Sequence, residues 1–275
     1  MTDRYAVIGN PVAHSLSPSI HAQFAAQTGQ DLVYERLLAE PGAFVATVDR
    51  FRAEGGAGLN VTLPFKVDAF RYATRRSARA LAAGAVNVLA FGEGEAMGEN
   101  TDGAGLVRDI EQRAGLALSG ARVLLLGAGG AARGVLRPLL DAGVARLAIA
   151  NRTAGRAVEL ASSAQDARVS GSGFDALAAA EPFDLVVNAT SSALADAAPP
   201  VPPAVLRGAA LAYEMMYGAR ATPFMRAARE AGAASVLDGL GMLVEQAAES
   251  FLIWRGVRPL TDPVYQRLRR ELAPG

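Results

Sequence analysis

The stretch "VLLLGAGGAARGV" (residues 123–135) joins a short apolar run to a glycine-rich turn. The run predicts a buried strand, and "AARGV" predicts the start of a helix. The free N–H groups and positive dipole end of such a helix suit a pyrophosphate, and small residues let it approach the backbone. The spacing G-A-G-G-A-A, with Ala132 third in the G-x-G-x-x-G/A pattern, therefore predicts a dinucleotide site. A purely structural strand–helix turn is the alternative.

The segment after the next predicted strand, "NRTAGR" (151–156), lacks the acidic residue that holds the ribose hydroxyls in NAD sites. A carboxylate would repel the 2′-phosphate of NADP. Arg152 can pair with that phosphate, Asn151 and Thr153 can donate hydrogen bonds to it, and Arg156 follows a turn later. The segment therefore favours NADP. The structural alternative makes Thr153 a helix N-cap and leaves the arginines solvated.

The composition narrows the class of protein. The chain has 275 residues, 51% of them apolar, a formal net charge of zero and no cysteine. This length suits two domains with a large buried core. Nothing indicates nucleic acid or an anionic membrane as a partner, and disulfides and thiolate metal sites are excluded. No segment resembles a signal peptide or a membrane span, so we expect a cytoplasmic protein.

Strand and helix patterns alternate along the chain, which predicts an α/β fold with parallel sheets of βαβ units. The predicted strands are 4–10, 32–39, 58–64, 85–91, 95–100, 183–191, 208–217 and 234–239, with a strand–turn–helix–strand unit over 121–153. The predicted helices are 17–29 with Ser17 as N-cap, 44–55, a short one after Lys66, 102–114, 222–232, 241–256 and one after Pro263. A turn "GEGE" joins 85–91 to 95–100 as a hairpin.

Lys66 is the only lysine of the chain, whereas arginine occurs 26 times. Arginine stays protonated in proteins, but lysine can exchange a proton near neutrality when its surroundings lower its pKa. A single lysine can also remain through compositional bias. Its position after the predicted strand "GLNVTLP" (58–64) makes it a candidate proton donor.

Polar clusters follow the apolar strands of the first third of the chain. Two hydroxyls lie in "HSLSP" (14–18), a loop before a predicted helix N-terminus that can hold a carboxylate. Amide, hydroxyl, cationic and acidic groups follow in "NVTLPFK", "AVNV" and "ENTDG". Each cluster alone could be a helix cap. Together they suit a small polyhydroxy acid.

The sequence resembles the shikimate dehydrogenases over nearly its whole length. The resemblance rests on "GNPVAHSLSPSIHAQF", "NVTLPFK", "GAVNV", "GENTDGAG", "LLGAGGAARGV", "NRT", "NATSS", "YEMMYGARATPF" and "DGLGMLVEQAA", in the family's order. It implies NADPH-dependent reduction of 3-dehydroshikimate to shikimate, on the route to chorismate and the aromatic amino acids. It also implies a substrate-binding domain (1–102 and 239–275) and a Rossmann-type NADP-binding domain (103–238), with the active-site cleft between them.

The resemblance assigns roles to individual residues of this chain. Lys66 and Asp102 match the catalytic pair, with Lys66 as proton donor and Asp102 orienting it. The implied substrate contacts are Ser15, Ser17, Asn60, Thr62, Lys66, Asn87, Asp102, Tyr217 and Gln246. The implied cofactor contacts are Gly127, Ala128, Gly129, Gly130, Ala131, Asn151, Arg152, Thr153, Arg156, Thr190, Met215, Gly239 and Met242.

One residue departs from the family pattern, because Glu214 stands where Asp is usual. We expect His21 to be structural or on the surface and His14 to be non-catalytic. No His, Asp or Glu cluster has metal-ligand spacing, so we expect no metal.

Three alternatives remain open: an NAD-using quinate/shikimate dehydrogenase, a relative acting on another small hydroxy acid, and a non-catalytic NADP-binding regulatory homologue. The protein is expected to be a monomer or a homodimer.

Overall fold

The computed structural model describes residues 2–92, 94–179 and 181–273. The chain forms two compact units, Met1–Gly105 with Val244–Arg267, and Leu106–Leu243 with Leu268–Gly275. Each unit contains a six-stranded sheet, so the predicted α/β class is confirmed. Within the described ranges, no helix combines the length and apolarity needed to cross a membrane.

The first unit has a mixed sheet in the strand order β2-β1-β3-β5-β6-β4. Its elements are β1 (Asp3–Gly9), α1 (Ser17–Thr28), β2 (Leu32–Leu38), α2 (Phe44–Ala53), β3 (Gly56–Val61), α3 (Lys66–Tyr72), β4 (Arg75–Arg76), α4 (Ala78–Ala83), β5 (Val88–Phe91), β6 (Ala96–Glu99) and α5 (Asp102–Arg108). The first three strands are parallel, and β5 pairs antiparallel with both β3 and β6. The predicted hairpin is therefore present, although its turn includes Glu93, which lies outside the described residues.

The second unit has an all-parallel sheet in the order β12-β11-β10-β7-β8-β9. Its elements are β7 (Arg122–Leu126), α6 (Gly130–Asp141), β8 (Arg146–Asn151), α7 (Ala154–Ser163), β9 (Val169–Gly173), β10 (Leu185–Asn188), β11 (Leu211–Glu214), α8 (Pro223–Ala231), β12 (Val236–Asp238), α9 (Leu240–Arg255) and α10 (Asp262–Leu272). Helix α9 begins in the second unit and continues into the first, whereas α10 begins in the first unit and ends in the second. Numbered from β7, the strand order is that of doubly wound dinucleotide-binding sheets.

The apolar run of β7 is explained by burial on both faces of its sheet. Val123 and Leu125 pack into one core cluster, and Leu124 and Leu126 pack into a second cluster. Alternate strand residues point to opposite faces, so each face of the sheet has its own core. A strand of this kind must be apolar throughout, as parallel strands covered on both sides are.

Two predicted helix boundaries differ from the structure. Ser17 is not the N-cap of α1: Leu16 occupies that position and Ser17 is already helical. The Ser17 hydroxyl accepts a hydrogen bond from the Ser15 hydroxyl at 3.2 Å and caps no backbone N–H. The helix predicted over 102–114 ends its α-helical part at Arg108 and continues as a π-helical turn, Asp109–Arg113.

His21 is completely buried in α1, so it is structural and not on the surface. Its ring stacks on Tyr34 with 4.2 Å between ring centroids and lies edge-on to Phe24. Within the described part of the chain, neither ring nitrogen has a partner in good hydrogen-bond geometry. Burial lowers the pKa of His21 from 6.5 to about 3, because the charged ring would lose its hydration, and the nearby Asn60 amide opposes this only in part.

We predict that replacing His21 by Phe weakens the acid sensitivity of folding. Between pH 6.5 and about 3, His21 is protonated in the unfolded chain but neutral in the folded protein, so stability falls as the pH falls. The wild type should lose about 2 kcal/mol through this group between pH 7 and pH 5. Urea unfolding at both pH values measures this loss. Packing changes that do not depend on pH cancel in the difference between the two free energies of unfolding.

The exposed His14 supplies the matched control. His14→Gln should keep the wild-type difference between the two pH values, whereas His21→Phe should lose it. An unchanged difference in His21→Phe would contradict the interpretation.

Candidate active site

The Lys66 ammonium lies against the carboxylate of Asp102 in the first unit. Lys66 Nζ donates to Asp102 Oδ2 at 2.5 Å. The side chains are 30% and 14% exposed, so the pair is partly shielded but still open to a small molecule. Lys66 is the first residue of α3 and Asp102 the first residue of α5.

Strand pairing explains why residues so distant in sequence meet. Asn60 of β3 pairs with Val88 of β5, and Val88 also pairs with Glu99 of β6. The end of β3, the start of β5 and the end of β6 therefore lie at one edge of the sheet. The polar residues that follow or precede these strands are brought together there, as the clusters in the sequence predict.

Asn87 holds the Asp102 carboxylate and the backbone before it in place. Its Nδ2 donates to Asp102 Oδ1 at 2.8 Å and to Gln246 Oε1 at 3.3 Å, and its Oδ1 accepts from the Thr101 N–H at 2.8 Å. The Asn100 Oδ1 in turn accepts from the Asp102 N–H at 3.1 Å. Asp102 is thus fixed through both its side chain and its backbone, and four predicted site residues (Lys66, Asn87, Asp102 and Gln246) form one hydrogen-bonded group.

The two serines of "HSLSP" form a second polar group in the same unit. Ser17 is 6% exposed and hydrogen-bonds to Ser15, while Arg36 Nη2 donates to the Ser15 carbonyl at 2.7 Å. Thr62 follows β3, and its methyl group packs so closely on Gly9 that a Cβ there would lie 2.4 Å from it. The neighbouring His14 is exposed.

Sequence reasoning missed two residues that contact Asn60. Tyr34 donates to Asn60 Oδ1 at 2.7 Å, and Asn60 Nδ2 donates to Ser250 Oγ at 2.9 Å. Ser250 lies four residues after Gln246 on α9, so helical spacing could have indicated that the two share a face. Tyr34 lies in a strand without a distinctive motif, and the sequence gives no signal for its contact.

The glycine turn of the second unit has the shape that a phosphate group needs. Gly127 has φ +106°, and a Cβ there would lie 3.1 Å from the Ala189 carbonyl oxygen, so this position requires glycine. Gly129 and Gly130 are exposed and have open space where a Cβ would be. Ala128 and Ala131 complete the turn, which leads into the 12-residue helix α6. Gly127 therefore contacts the loop after β10, at the point where the strand order reverses.

The end of β8 carries the residues predicted to select NADP. Asn151 Nδ2 donates to the Thr153 carbonyl at 3.0 Å, which shapes the turn into α7. Thr153 is the N-cap residue of α7, but its side chain makes no capping bond. Arg152 and Arg156 are exposed, and in the described residues neither forms an ion pair. Two uncompensated guanidinium groups, an open glycine turn and a helix N-terminus fit a dinucleotide with an additional phosphate.

The remaining predicted cofactor residues lie around Gly239. A Cβ at Gly239 would lie 2.1 Å from the Met215 carbonyl oxygen, so only glycine allows this approach. Met242 follows on α9, is 8% exposed and packs in the same core cluster as the half-buried Met215. Tyr217 belongs to the same unit, in the loop after β11, and burial raises the pKa of its hydroxyl.

Glu214, the residue that departs from the family pattern, is completely buried and accepts three hydrogen bonds. Asn188 Nδ2 donates at 2.8 Å, Thr222 Oγ1 at 3.0 Å and the Met216 N–H at 3.1 Å. Burial raises the pKa of Glu214, and these three donors oppose that effect. Asn188 also accepts from the Thr190 hydroxyl at 2.8 Å, so one carboxylate connects the loops that carry Thr190, Met215 and Tyr217.

Three family models match the chain. They describe the shikimate dehydrogenase substrate binding domain (residues 7–89), shikimate / quinate 5-dehydrogenase (109–195) and the shikimate 5′-dehydrogenase C-terminal domain (239–269). A curated relative from Janthinobacterium sp. (strain Marseille), named shikimate dehydrogenase (NADP(+)), is 58% identical over 272 residues, which cover 98% of each chain.

Two solved structures extend the comparison. An Ael1 enzyme from Pseudomonas putida is 50% identical, with a TM-score of 0.94 over 100% of this chain and 99% of that one. A shikimate 5-dehydrogenase from Thermus thermophilus, solved in complex with NADP(H) and shikimate, is 33% identical, with a TM-score of 0.87 over 98% of this chain and 100% of that one. The family resemblance predicted from the sequence is confirmed.

We predict that Glu214→Ala lowers the free energy of unfolding by about 2–4 kcal/mol, because it leaves buried donors unpaired. Urea unfolding measures the loss. Glu230→Ala is the matched control, since Glu230 is an exposed residue of α8 in the same unit, and it should change stability by less than about 0.5 kcal/mol. Equal stabilities for the two variants would show that the Glu214 network does not stabilise these loops.

Proposed function

The chain belongs to the shikimate dehydrogenase family and acts as an NADP-dependent oxidoreductase of that kind, and we propose that Lys66 and Asp102 perform its acid–base chemistry. The reaction is the reversible reduction of 3-dehydroshikimate to shikimate. The observation that carries the proposal is the 2.5 Å contact between the two side chains, which Asn87 supports from the other oxygen of Asp102.

The proposed proton path follows from this geometry. NADPH held by the glycine turn and by Arg152 and Arg156 would supply a hydride for the carbonyl carbon of the substrate. The carbonyl oxygen then gains negative charge, and the Lys66 ammonium gives it a proton to complete the alcohol. Lys66 recovers a proton from solvent, which its 30% exposed side chain can reach. In the oxidation direction the neutral amine removes the hydroxyl proton.

Asp102 has two tasks in this scheme. It holds the Lys66 ammonium in position and accepts a hydrogen bond from the reacting hydroxyl. Since Asn87 and the backbone already fix the carboxylate, little ordering is needed when substrate binds.

The substrate is proposed to bind to the first unit, whose residues 7–89 match the substrate binding domain model. Ser15 and Ser17 are assigned to the carboxylate of shikimate. Its hydroxyls are assigned to the remaining predicted contacts of that unit, Asn60, Thr62, Asn87 and Gln246. The close grouping of Asn60, Asn87 and Gln246 beside Asp102 supports this assignment. The predicted substrate contact of Tyr217, a residue of the second unit, stays a prediction.

The cofactor is proposed to bind to the second unit. The pyrophosphate is assigned to the turn 127–131, and the 2′-phosphate to Arg152 and Arg156 with Asn151 and Thr153. Thr190, Met215, Gly239 and Met242 are assigned to the rest of the cofactor. The predicted domain boundaries (1–102 with 239–275, and 103–238), the monomer or homodimer state and the cytoplasmic location stay predictions.

We predict that Lys66→Ala lowers kcat for shikimate oxidation by about 10²–10⁴-fold with KM little changed. Lys66→Arg should be similarly inactive, because guanidinium keeps the charge but does not release its proton near neutrality. Arg71→Ala is the control, since Arg71 is an exposed cation on the same helix, and it should retain wild-type kcat. A near-wild-type kcat in Lys66→Arg would rule out proton donation by Lys66.

The wild type should oxidise shikimate with a higher kcat/KM for NADP than for NAD, and should prefer shikimate to quinate. Arg152→Ala should raise KM for NADP about ten- to hundredfold, since it removes a charged partner of the 2′-phosphate, and should leave KM for NAD within about twofold. Steady-state assays with the four substrate and cofactor combinations measure this. Arg229→Ala, another exposed arginine of the same unit, is the control.

A higher kcat/KM with NAD or with quinate would favour the quinate/shikimate alternative. NADP binding without turnover of either acid would instead favour a regulatory homologue.

A further inference from the structure

The side-chain amide of Asn60 has a hydrogen-bond donor beside its oxygen and an acceptor beside its nitrogen. Ser250 Oγ donates its single hydrogen to the Gln246 carbonyl at 2.9 Å, so it can only accept from Asn60. The atom of Asn60 that faces Ser250 at 2.9 Å is therefore the amide nitrogen. The amide oxygen then faces the Tyr34 hydroxyl, which must donate to it at 2.7 Å.

The position of the Tyr34 hydroxyl is set by the aromatic core of the first unit. The Tyr34 ring stacks on the His21 ring with 4.2 Å between centroids and an angle of 4° between planes. His21 is completely buried, and Phe24 packs edge-on against it. Burial raises the pKa of Tyr34 well above its usual value, while hydrogen bonding by Ser17 opposes this. The hydroxyl therefore stays a neutral donor between two predicted substrate contacts, Ser17 and Asn60.

We propose that Tyr34 is a positioning residue for the substrate, one that fixes Asn60 as a hydrogen-bond donor. The inference rests on the proposed function, in which Asn60 contacts a hydroxyl of shikimate. With one N–H given to Ser250, Asn60 has one donor left. This second N–H makes a long bond of 3.4 Å to the Asn87 main-chain carbonyl and can be given to a substrate oxygen.

Without the Tyr34 hydroxyl, the Asn60 amide would no longer be held in the orientation that presents its N–H to the substrate. Its buried oxygen would lose the donor at 2.7 Å, and a rotated amide could present oxygen instead of N–H to the substrate. Substrate affinity would then fall while proton transfer at Lys66 continued. The effect should appear in KM for shikimate and not in kcat or in cofactor binding.

The test is Tyr34→Phe, which keeps the ring stacked on His21 and removes only the hydroxyl. We expect KM for shikimate to rise roughly tenfold, with kcat within about twofold and KM for NADP unchanged. Tyr5→Phe is the matched control. Tyr5 is buried in the same aromatic cluster, stacks on Trp254, and its hydroxyl has a 3.4 Å contact with Arg255. Its kinetics should match the wild type.

A double-mutant cycle separates positioning from general loosening of the fold. In an Asn60→Ala background, Tyr34→Phe should change KM for shikimate by less than about twofold, because the residue it positions is gone. An unchanged KM in the single variant, or the full effect in the Asn60→Ala background, would overturn the inference. Failure of the wild type to oxidise shikimate would instead refute the proposed function, so the two outcomes are distinct.

Discussion

The carboxylate of Asp102 has to accept two hydrogen bonds at once, and the first unit is arranged around that requirement. Lys66, which begins the helix after β3, donates to one carboxylate oxygen. Asn87, which directly precedes β5, donates to the other. Both contacts depend on β3, β5 and β6 pairing in one register, because a shift of one residue would turn their side chains to the other face. The apolar core beneath these strands, which includes Leu59 and Leu89, is what fixes that register.

In the second unit, the predicted site is shaped mainly by the backbone and by uncharged groups at the ends of the strands. The central strands of its sheet are apolar on both faces, so the polar residues of the predicted cofactor site lie at the carboxyl ends of the strands. There, backbone positions are determined by close approach, as Gly127 against Ala189 and Gly239 against Met215 illustrate. The buried carboxylate at the end of β11, that of Glu214, is satisfied by three donors. The Glu214 carboxylate therefore has hydrogen-bond partners without a counter-charge beside it among the described residues.

Sequence reasoning predicted the elements whose patterns are dictated by burial. The apolar run before Gly127 and the amphipathic segment over 241–256 appear as β7 and α9. It did not predict β9, because "VSGSG" lacks the bulky residues that mark a strand, or the two-residue β4. The N-cap at Ser17 was wrong, because Leu16 takes that position and the Ser17 hydroxyl accepts from the Ser15 hydroxyl and not from a backbone N–H. Local pattern predicts an element better than it predicts the partner of a polar group.

The predicted site shows the same limit. Motifs identified Lys66, Asn87 and Asp102, since each follows or precedes a strand at one edge of the sheet. Tyr34 and Ser250 were not predicted as site residues, because their roles depend on contacts with Asn60. Asn60 is 26 residues from Tyr34 and 190 from Ser250. Nothing local in "LVYERLL" distinguishes a tyrosine that packs from one that donates to a buried amide. Only the fold decides this, because stacking on His21 fixes where the hydroxyl points. The buried histidine, which has no hydrogen-bond partner of its own in the described chain, thereby contributes to the site through its shape.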